Sequence, residues 1–328
     1  MSSGPPSTTL FQDLRARLEA VARDRASPAR QVVQETSGIL RGWLLELPEE
    51  PPLDGSELEA GLGPWTEEQA WRGPCALWLD SARLAWNAAV DPPVALAREA
   101  GAWCEEDRPG TQADRRLPNR AELAARAALD VEHGEVVLIT SWSETVALAL
   151  ESAWRIGKRP QAMIGEGLPG LDGRRMARRL ARAGIPVTMA YDAALLGLVP
   201  RADRLWLSTE AIGAGAFLAR RGTRSLLQEC ARREVPVRVL ATSDKLVPGG
   251  DLRLPAWCER ESWLLWEDAP EGVRLESQCF ESVPLELAGA FLTEVGLEST
   301  SALHLRALRV EAAPPCRARS PIHSANTP

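Results

Sequence analysis

The sequence predicts an α/β protein in which a helical N-terminal domain precedes a second domain with a mostly parallel sheet. Before position 135, apolar residues recur at helical spacing and no strand-type alternation appears. After position 135, short apolar runs alternate with helical stretches, as they do in β-α-β units. The chain has 328 residues, which is roughly the length of two domains.

The first domain is predicted over 9–107 and consists of helices. The segment TLFQDLRARLEAVARD has leucines at three- and four-residue spacing and predicts the first of them. Prolines in 48–55 exclude a helix there, because proline removes a backbone donor and restricts the residue before it. The helices are predicted at 9–24, 29–47, 66–72, 74–89 and 92–105, after a disordered segment at 1–8. Tryptophans concentrate in this domain and are expected either in its core or at a partner interface: Trp65, Trp71, Trp78, Trp86 and Trp103.

The second domain is predicted over 119–310, after a charged linker with Pro and Gly at 108–118. Its apolar runs lack alternation, which is typical of strands buried on both faces of a parallel sheet. Strands are predicted at 136–140, 161–164, 186–190, 204–208, 236–241 and 262–266. Helices are predicted at 119–132, 143–156, 172–183, 192–198 and 223–234, with a closing helix at 284–296. The tail at 311–328 has too little apolar content to pack and is expected to be disordered.

Composition excludes several function classes. A formal charge of -7 and a pI near 5.3 argue against a nucleic-acid partner. No apolar run approaches the ~20 residues that span a membrane, and the N-terminus lacks the basic and apolar regions of a secretion signal, so we expect a cytoplasmic protein. The 6 cysteines are scattered, and most of them are expected to be small buried side chains, whereas the 3 histidines are too dispersed for a metal site. Neither a Walker lysine nor G-x-G-x-x-G is present, and we predict no cofactor.

Ligand binding is predicted at the carboxyl ends of the strands, where helix N termini point backbone N–H groups outward. Four loops qualify: 140–143, 165–173, 191–192 and 209–223. The candidate ligand- and phosphate-binding residues in these loops and at the starts of the following helices are Ser141, Ser143, Glu166, Arg175, Arg220, Arg221 and Gly222, and the candidate catalytic acids are Asp192 and Glu210.

Each candidate also has a simpler structural interpretation. Ser141 or Ser143 is either a ligand contact or a helix N-cap, and the glycines after 165 either bind phosphate or only turn the chain. The arginines of 174–182 are either ligand-binding or a solvated helix face. Arg220 and Arg221 are the better phosphate candidates, because two guanidiniums and a helix dipole would act on the same point.

Several segments carry a resemblance. HGEVVLITSWSETVALALESAW resembles D-G-D-x-I-L-T-H-x-x-S followed by a helix, and GEGLPGLDGRRMARRLARAGIPVTMAYDAAL resembles E-x-R-P-x-x-x-G followed by G-I-P-V-T-x-I-x-D-x-A. LSTEAIGAGAFLARRGT is similar to a motif that ends in N-K-I-G-T, and ESQCFESVPLELAGAFLTEVG resembles N-P-x-F-(D/E)-x-x-P. These motifs belong to the family that contains the regulatory subunits of eukaryotic translation initiation factor 2B, methylthioribose-1-phosphate isomerase and ribose-1,5-bisphosphate isomerase.

The resemblance implies a Rossmann-like second domain and dimerisation through it. DRASPARQVVQ resembles D-R-T-S-G-A-S, which adds Arg25 to the implied ligand-binding residues. The isomerases of the family interconvert a phosphorylated aldose and ketose. They use a cysteine and an aspartate at the reacting carbons, and arginine, asparagine and lysine to hold phosphate and hydroxyls.

The chain departs from this pattern at the catalytic positions. Trp142 stands at the position of the cysteine, Glu210 at that of the aspartate, and Leu168 at that of the arginine in E-x-R-P. Ala219 and Arg220 replace the asparagine and lysine of N-K, whereas the matching positions are Glu166, Pro169, Arg175, Asp192, Gly222 and Thr223. An indole cannot ionise, so it cannot transfer the proton that a thiol would.

Two functions follow from the resemblance and its departures. The first is a non-catalytic family member that binds a phosphorylated small molecule or a protein partner and forms a homodimer through its C-terminal domain. The alternative is an active aldose–ketose sugar-phosphate isomerase, with Glu210 as the base and Asp192 or Ser141 as its partner.

Overall fold

The computed structural model describes residues 6–24, 29–47, 54–89, 91–104, 119–255 and 262–316. The chain forms two compact units. The helical unit contains Met1–Ala70, Cys75–Arg115 and Ala312–Pro328, and the α/β unit contains Trp71–Pro74 and Arg116–Glu311. Within the described ranges, no helix combines the length and the apolar composition needed to cross a membrane.

The helical unit is built around buried tryptophans. Its helices are α1 (Pro6–Ala22), α2 (Ala29–Glu46), α3 (Gly55–Gln69), α4 (Gly73–Ala88), whose first two residues belong to the α/β unit, and α5 (Pro92–Cys104). Trp65 and Trp78 meet edge to face with ring centroids 4.8 Å apart, and both are 1% exposed. The core interpretation of the tryptophans is confirmed, because Trp86 and Trp103 are also buried here and Trp71 is buried in the α/β unit.

Two predicted boundaries in this unit were wrong. Helix α1 begins at Pro6, so residues 6–8 are helical and not disordered. Helix α3 covers Gly55–Gln69 and not 66–72, because the Asp54 side chain accepts the Ser56 backbone N–H at 2.8 Å and caps the helix there. Residues 1–5, 48–53 and the linker at 108–118 lie outside the described part of the chain.

The expected disorder of the tail was wrong for 312–316, which pack within the helical unit. The Ala313 N–H donates to Asp80, and the Cys316 N–H donates to Glu59 at 3.0 Å. Asn87 Nδ2 donates to the carbonyl oxygens of Pro314 and Pro315 at 3.1 Å each. Polar contacts to the backbone hold this stretch in place of the apolar packing that its composition lacks. Residues 317–328 lie outside the described ranges.

The α/β unit contains one seven-stranded sheet in the order β3-β2-β1-β4-β6-β8-β9. Every pairing in it is parallel except that between β8 and β9, which confirms the mostly parallel sheet. The strands are β1 (Val136–Ile139), β2 (Gln161–Gly165), β3 (Val187–Ala190), β4 (Arg204–Ser208), β6 (Val237–Leu240), β8 (Ala290–Thr293) and β9 (Gly296–Ser299). The helices of the unit are α6 (Arg120–Asp130), α7 (Glu144–Arg155), α8 (Asp172–Arg182), α9 (Leu195–Leu198), α10 (Thr223–Arg232) and α11 (Thr300–Ala307).

A second, two-stranded sheet was not predicted. Strands β5 (Ala216–Arg220) and β7 (Phe280–Pro284) pair antiparallel, with Arg220 opposite Phe280. The predicted closing helix at 284–296 was wrong, because the chain there passes from β7 through β8 to β9. Gly289 separates β7 from β8 with φ +69, a left-handed conformation that favours glycine and ends any helix. The predicted strand at 262–266 was also wrong, since Trp263 and Leu265 are 56% and 61% exposed and lie in or just after a short 3-10 turn.

Three of the described cysteines are the small buried thiols that were expected, and Cys279 differs. Cys75, Cys230 and Cys316 are buried free thiols, as predicted for small apolar side chains. Cys279 is disulfide-bonded, which the scattered spacing of the cysteines did not indicate.

Candidate functional site

The strand order predicts a ligand-binding crevice between the loops that follow β1 and β4. These strands are neighbours in the sheet, but the chain continues from β1 to β2 on one side and from β4 to β6 on the other. The two loops therefore diverge at the carboxyl edge, which is where open α/β sheets bind ligands. The loop after β1 carries Trp142, and the loop after β4 carries Glu210.

Trp142 is held against helix α8 by arginine stacking. The Arg175 guanidinium carbon lies 3.9 Å from the centroid of the Trp142 ring, and that of Arg179 lies 5.8 Å away. Arg179 is itself fixed, because it forms ion pairs with Glu144 at 2.7 Å and with Glu151 at 2.6 Å. Arg175 and Arg179 therefore pack on an indole and are not part of a purely solvated face.

Ser143 is a helix cap. Its hydroxyl accepts the Val146 N–H at 3.2 Å at the start of α7, which agrees with the simpler of its two interpretations. Ser141 is 8% exposed and lies beneath the loop that follows β2, since a Cβ added at Gly167 would lie 3.2 Å from its Cβ.

Asp192 holds that loop through both of its carboxylate oxygens. Oδ1 accepts the Gly167 N–H at 2.9 Å, and Oδ2 accepts the Leu168 N–H at 2.8 Å. The loop closes where the Gly173 N–H donates to the Glu166 carbonyl at 3.0 Å. A Cβ at Gly173 would lie 1.8 Å from the Gly165 carbonyl oxygen, so this approach requires glycine.

Glu210 lies among three cations. Its Oε2 is 3.2 Å from Lys245 Nζ, and its carbonyl accepts the Gly73 N–H at 2.7 Å. Burial alone would raise the pKa of Glu210. The charge of Lys245, then that of Arg72, the hydrogen bond from Lys245 and finally the charge of Arg220 outweigh burial, so the pKa is lowered and the carboxylate stays ionised.

Two of these cations are positioned by an aromatic pair. The Arg72 guanidinium carbon lies 5.1 Å from the Trp71 ring centroid, and that of Arg220 lies 4.9 Å from the centroid of Phe280. The Trp71 and Phe280 rings meet with centroids 5.1 Å apart. Trp71, Arg72 and Phe280 are 5%, 4% and 7% exposed, so the stack is built into the unit and is not a surface contact.

Arg220 also pairs with a carboxylate from a different loop. Its Nη2 donates to Asp172 Oδ2 in a direct ion pair, with both side chains partly exposed. Asp172 is the first residue of α8, so the pair joins the loop after β2 to the end of β5.

The start of α10 holds the remaining phosphate candidates. Gly222 has φ +94 and immediately precedes the helix. The Arg224 N–H donates to Glu281 Oε1 at 2.9 Å, so a carboxylate already caps this helix. The Arg221 backbone N–H donates to the Cys279 carbonyl at 3.0 Å, and its side chain is exposed.

The structure thus groups some predicted residues and separates others. Glu210 and Arg220 share one charge cluster, Arg175 stacks on Trp142, and Asp192 holds the loop that carries Glu166. Arg25 lies outside the described ranges. Among the described residues, no group of three or more His, Cys, Asp and Glu side chains is arranged to hold a metal ion.

Sequence reasoning missed Lys245, Arg72, Asp172 and Phe280. Lys245 follows β6 and is one of only two lysines in the chain, so the rule that ligands bind at strand carboxyl ends would have found it. The sequence around Arg72 contains no motif that indicates a site, because the position of Arg72 near Glu210 depends on packing between segments that are far apart in the chain.

Comparison with known proteins identifies relatives of this chain. A curated ribose 1,5-bisphosphate isomerase from Haloterrigena turkmenica is 28% identical over 193 residues, which cover 54% of this chain and 58% of that protein. The chain therefore spans little more than half the length of this relative.

Two crystal structures share the fold. The Pyrococcus horikoshii OT3 translation initiation factor eIF-2B superposes with a TM-score of 0.66 at 22% identity, over 88% of this chain and 97% of that one. The tetrameric eIF2B-beta2-delta2 complex from C. thermophilum superposes with a TM-score of 0.60 at 14% identity, over 93% of this chain and 98% of that one.

The family model of the initiation factor 2 subunit family matches residues 106–300, which is more than half of the chain and most of the α/β unit. This match agrees with the motifs quoted from the sequence. The chain belongs to the initiation factor 2 subunit family.

Proposed function

We propose that this chain is a non-catalytic member of its family that binds a phosphorylated small molecule at the carboxyl edge of the sheet. The observation that carries the proposal is the stacking of Arg175 on Trp142 at 3.9 Å. This indole stands at the position where the resemblance expects a thiol, and it cannot ionise.

The acids that remain are poorly suited to proton transfer. An aldose–ketose isomerisation needs a base that removes a proton from one carbon and an acid that protonates the other. Both oxygens of Asp192 accept backbone N–H groups, and the Glu210 carboxylate is paired with Lys245 and has a lowered pKa. A carboxylate stabilised in its ionised form is a weaker base.

Anion binding is better supported than catalysis. Arg72, Arg220 and Lys245 surround Glu210, and Arg175 belongs to α8, the helix whose first residue, Asp172, pairs with Arg220. Guanidiniums bind phosphate in two-point hydrogen bonds and keep their charge at every physiological pH. The curated relative named above is an isomerase of a bisphosphate, which favours the same ligand class.

The alternative is an active sugar-phosphate isomerase, and one observation favours it. Glu210 still places a carboxylate beside the crevice, 3.2 Å from the Lys245 ammonium. An acid–base pair of this kind would serve if a substrate displaced Lys245 from the carboxylate.

The test measures binding and turnover on the same protein. Thermal shift and calorimetry would use ribose 5-phosphate, ribose 1,5-bisphosphate and inorganic phosphate, with ribose as the uncharged control. We expect the phosphorylated compounds to bind, and Arg220→Gln to weaken binding by about tenfold or more. Arg232→Gln is the matched control, because Arg232 is 62% exposed at the C-terminal end of α10 and carries the same charge.

Two outcomes would contradict the proposal. Flat melting curves for every phosphorylated compound would remove ligand binding. Conversion of ribose 1,5-bisphosphate or methylthioribose 1-phosphate, followed by phosphorus NMR and abolished in Glu210→Gln, would establish the isomerase instead.

We also propose that the protein forms a homodimer through the α/β unit. The resemblance implies this contact, and a related protein with the same fold is a tetrameric complex. Light scattering on the purified chain tests it, and a monomer at all concentrations would contradict it.

A further inference from the structure

The Asp172 carboxylate is an anion of the protein itself that already pairs with Arg220. The ion pair is direct, from Arg220 Nη2 to Asp172 Oδ2. The side chains remain 24% and 31% exposed, so a solute can reach both of them. The pair therefore lies at an accessible part of the charge cluster and not in its sealed interior.

Both partners are anchored by their surroundings, while the Asp172 side chain can still rotate. The Asp172 N–H donates to the Gly167 carbonyl at 3.3 Å, within the loop that Asp192 holds through the N–H groups of Gly167 and Leu168. Arg220 ends a strand and stacks on the buried Phe280. The carboxylate is thus held beside the guanidinium, which makes it a resident anion with a high effective concentration.

The Asp172–Arg220 pair belongs to a larger charge cluster. Arg72, Arg220 and Lys245 act on Glu210, and Asp172 acts on Arg220. A ligand that displaces Asp172 releases that carboxylate towards water, because it is already partly exposed.

We propose that Asp172 determines the charge selectivity of this site, so that it accepts dianionic phosphoryl groups and rejects singly charged anions. A monoanion would gain no more from Arg220 than Asp172 already provides, and it would also lose its freedom of motion on binding. A phosphoryl group carries about −1.5 to −2 charges near pH 7 and three acceptor oxygens, so it outcompetes one carboxylate. This inference rests on the proposed function, because it concerns the same anion site.

The experiment compares dissociation constants for ribose 5-phosphate, inorganic phosphate and acetate in calorimetry. Asp172→Asn removes the resident charge, and we expect ribose 5-phosphate to bind at least about fivefold more tightly, equivalent to about 1 kcal/mol. We also expect acetate binding to become measurable in this variant. Asp172→Ser is a second neutral replacement that keeps an oxygen at the first turn of α8, so that the result does not depend on one substitution folding.

The controls separate this inference from the proposed function. Asp268→Asn makes the same charge change at an exposed position and should leave all three constants unchanged. In Asp172→Asn combined with Arg220→Gln, the gain should vanish, because it requires the guanidinium. If wild type binds ribose 5-phosphate and neither Asp172 variant binds it more tightly, the selectivity role is wrong and the proposed function stands. If no variant binds any anion, both are wrong.

Discussion

The Arg175 guanidinium carbon lies 3.9 Å above the ring of Trp142, a distance that is typical of cation–π stacking. Trp142 lies in the loop after β1, and Arg175 lies on α8. Their contact means that the indole is a packed part of the loop and not a loose side chain over an open crevice. Replacing Trp142 should therefore affect the stability of the fold more than the chemistry at the site.

Trp142→Cys restores the thiol that the resemblance expects, and we predict that it restores no isomerase activity. Asp192 and Glu210 remain engaged by backbone N–H groups and by Lys245, so a thiol alone has no acid–base partner. The variant should lose about 2 kcal/mol of unfolding free energy from lost packing and stacking. Urea unfolding and phosphorus NMR measure the two effects.

Trp154→Cys is the matched control for that variant. Trp154 is also half-buried on α7 and is covered by Arg159 at 4.6 Å. A similar loss of stability without turnover is expected there. Turnover in Trp142→Cys but not in Trp154→Cys would show that the rest of a catalytic set is intact.

Asp192→Asn should loosen the loop that follows β2. The carboxylate accepts two N–H groups at 2.9 and 2.8 Å, whereas an amide offers one oxygen and turns its NH₂ towards the other donor. We expect a loss of about 1–3 kcal/mol and faster hydrogen exchange at Gly167 and Leu168. Asp203→Asn should cost less, because within the described ranges one N–H, that of Val136, donates to the Asp203 carboxylate, and an amide oxygen can replace it. Equal losses in both variants would contradict the two-point role.

Gly173→Ala tests the close approach of α8 to β2. The added Cβ would lie 1.8 Å from the Gly165 carbonyl oxygen, which is backbone and cannot rotate away. We expect the variant to lose more than about 3 kcal/mol or to fail to fold. Gly197→Ala is the control, since nothing lies within 4 Å of its Cβ and it sits in a helix, so it should be neutral or slightly stabilising. A Gly173→Ala protein with wild-type stability would refute the contact.

The stabilisation from Glu210 should depend on pH in a defined direction. Its pKa in the folded protein is lowered below the ordinary value of 4.5 by Lys245, Arg72 and Arg220 against the opposing effect of burial. A carboxylate of this kind contributes stability that is fully present above its unfolded-state pKa and lost as the pH falls through the folded-state pKa. Glu210→Gln should therefore be less stable than wild type at pH 7.

The difference between the two proteins should shrink below about pH 4.5. Glu271→Gln, at an exposed position, should show a much smaller dependence. A stability difference for Glu210→Gln that stays constant down to about pH 3 would show that the cations do not hold the carboxylate ionised.

The strands of the sheet were predictable where the apolar pattern of the sequence agrees with the burial of those residues in the fold. Strands β1, β2 and β4 are continuous apolar runs buried on both faces, and their positions follow from that pattern. The segment from Leu285 to Val295 was wrongly predicted as a helix, because its apolar residues also fit helical spacing. Gly289 decides the outcome through a backbone conformation that composition does not reveal.

The site was predictable only to the level of its loops. Strand ends located Asp192 and Glu210, because the carboxyl edge of a parallel sheet collects them. Arg220 fell within the loop predicted after β4, but it ends β5 of the separate antiparallel sheet. Their partners depend on contacts between positions far apart in the chain, such as Asp172 with Arg220 and Lys245 with Glu210. No local spacing encodes those pairs, so the sequence could not tell a ligand-binding arginine from one already paired.

The pairing of β5 with β7 has an evolutionary consequence. Five cross-strand residue pairs fix Arg220 opposite Phe280, so the length of the connection between the two strands does not set where the guanidinium points. Insertions or deletions near the exposed Gly272 should therefore be tolerated without moving it. Relatives can be expected to vary most in length along this connection, and a reporter peptide could be spliced there.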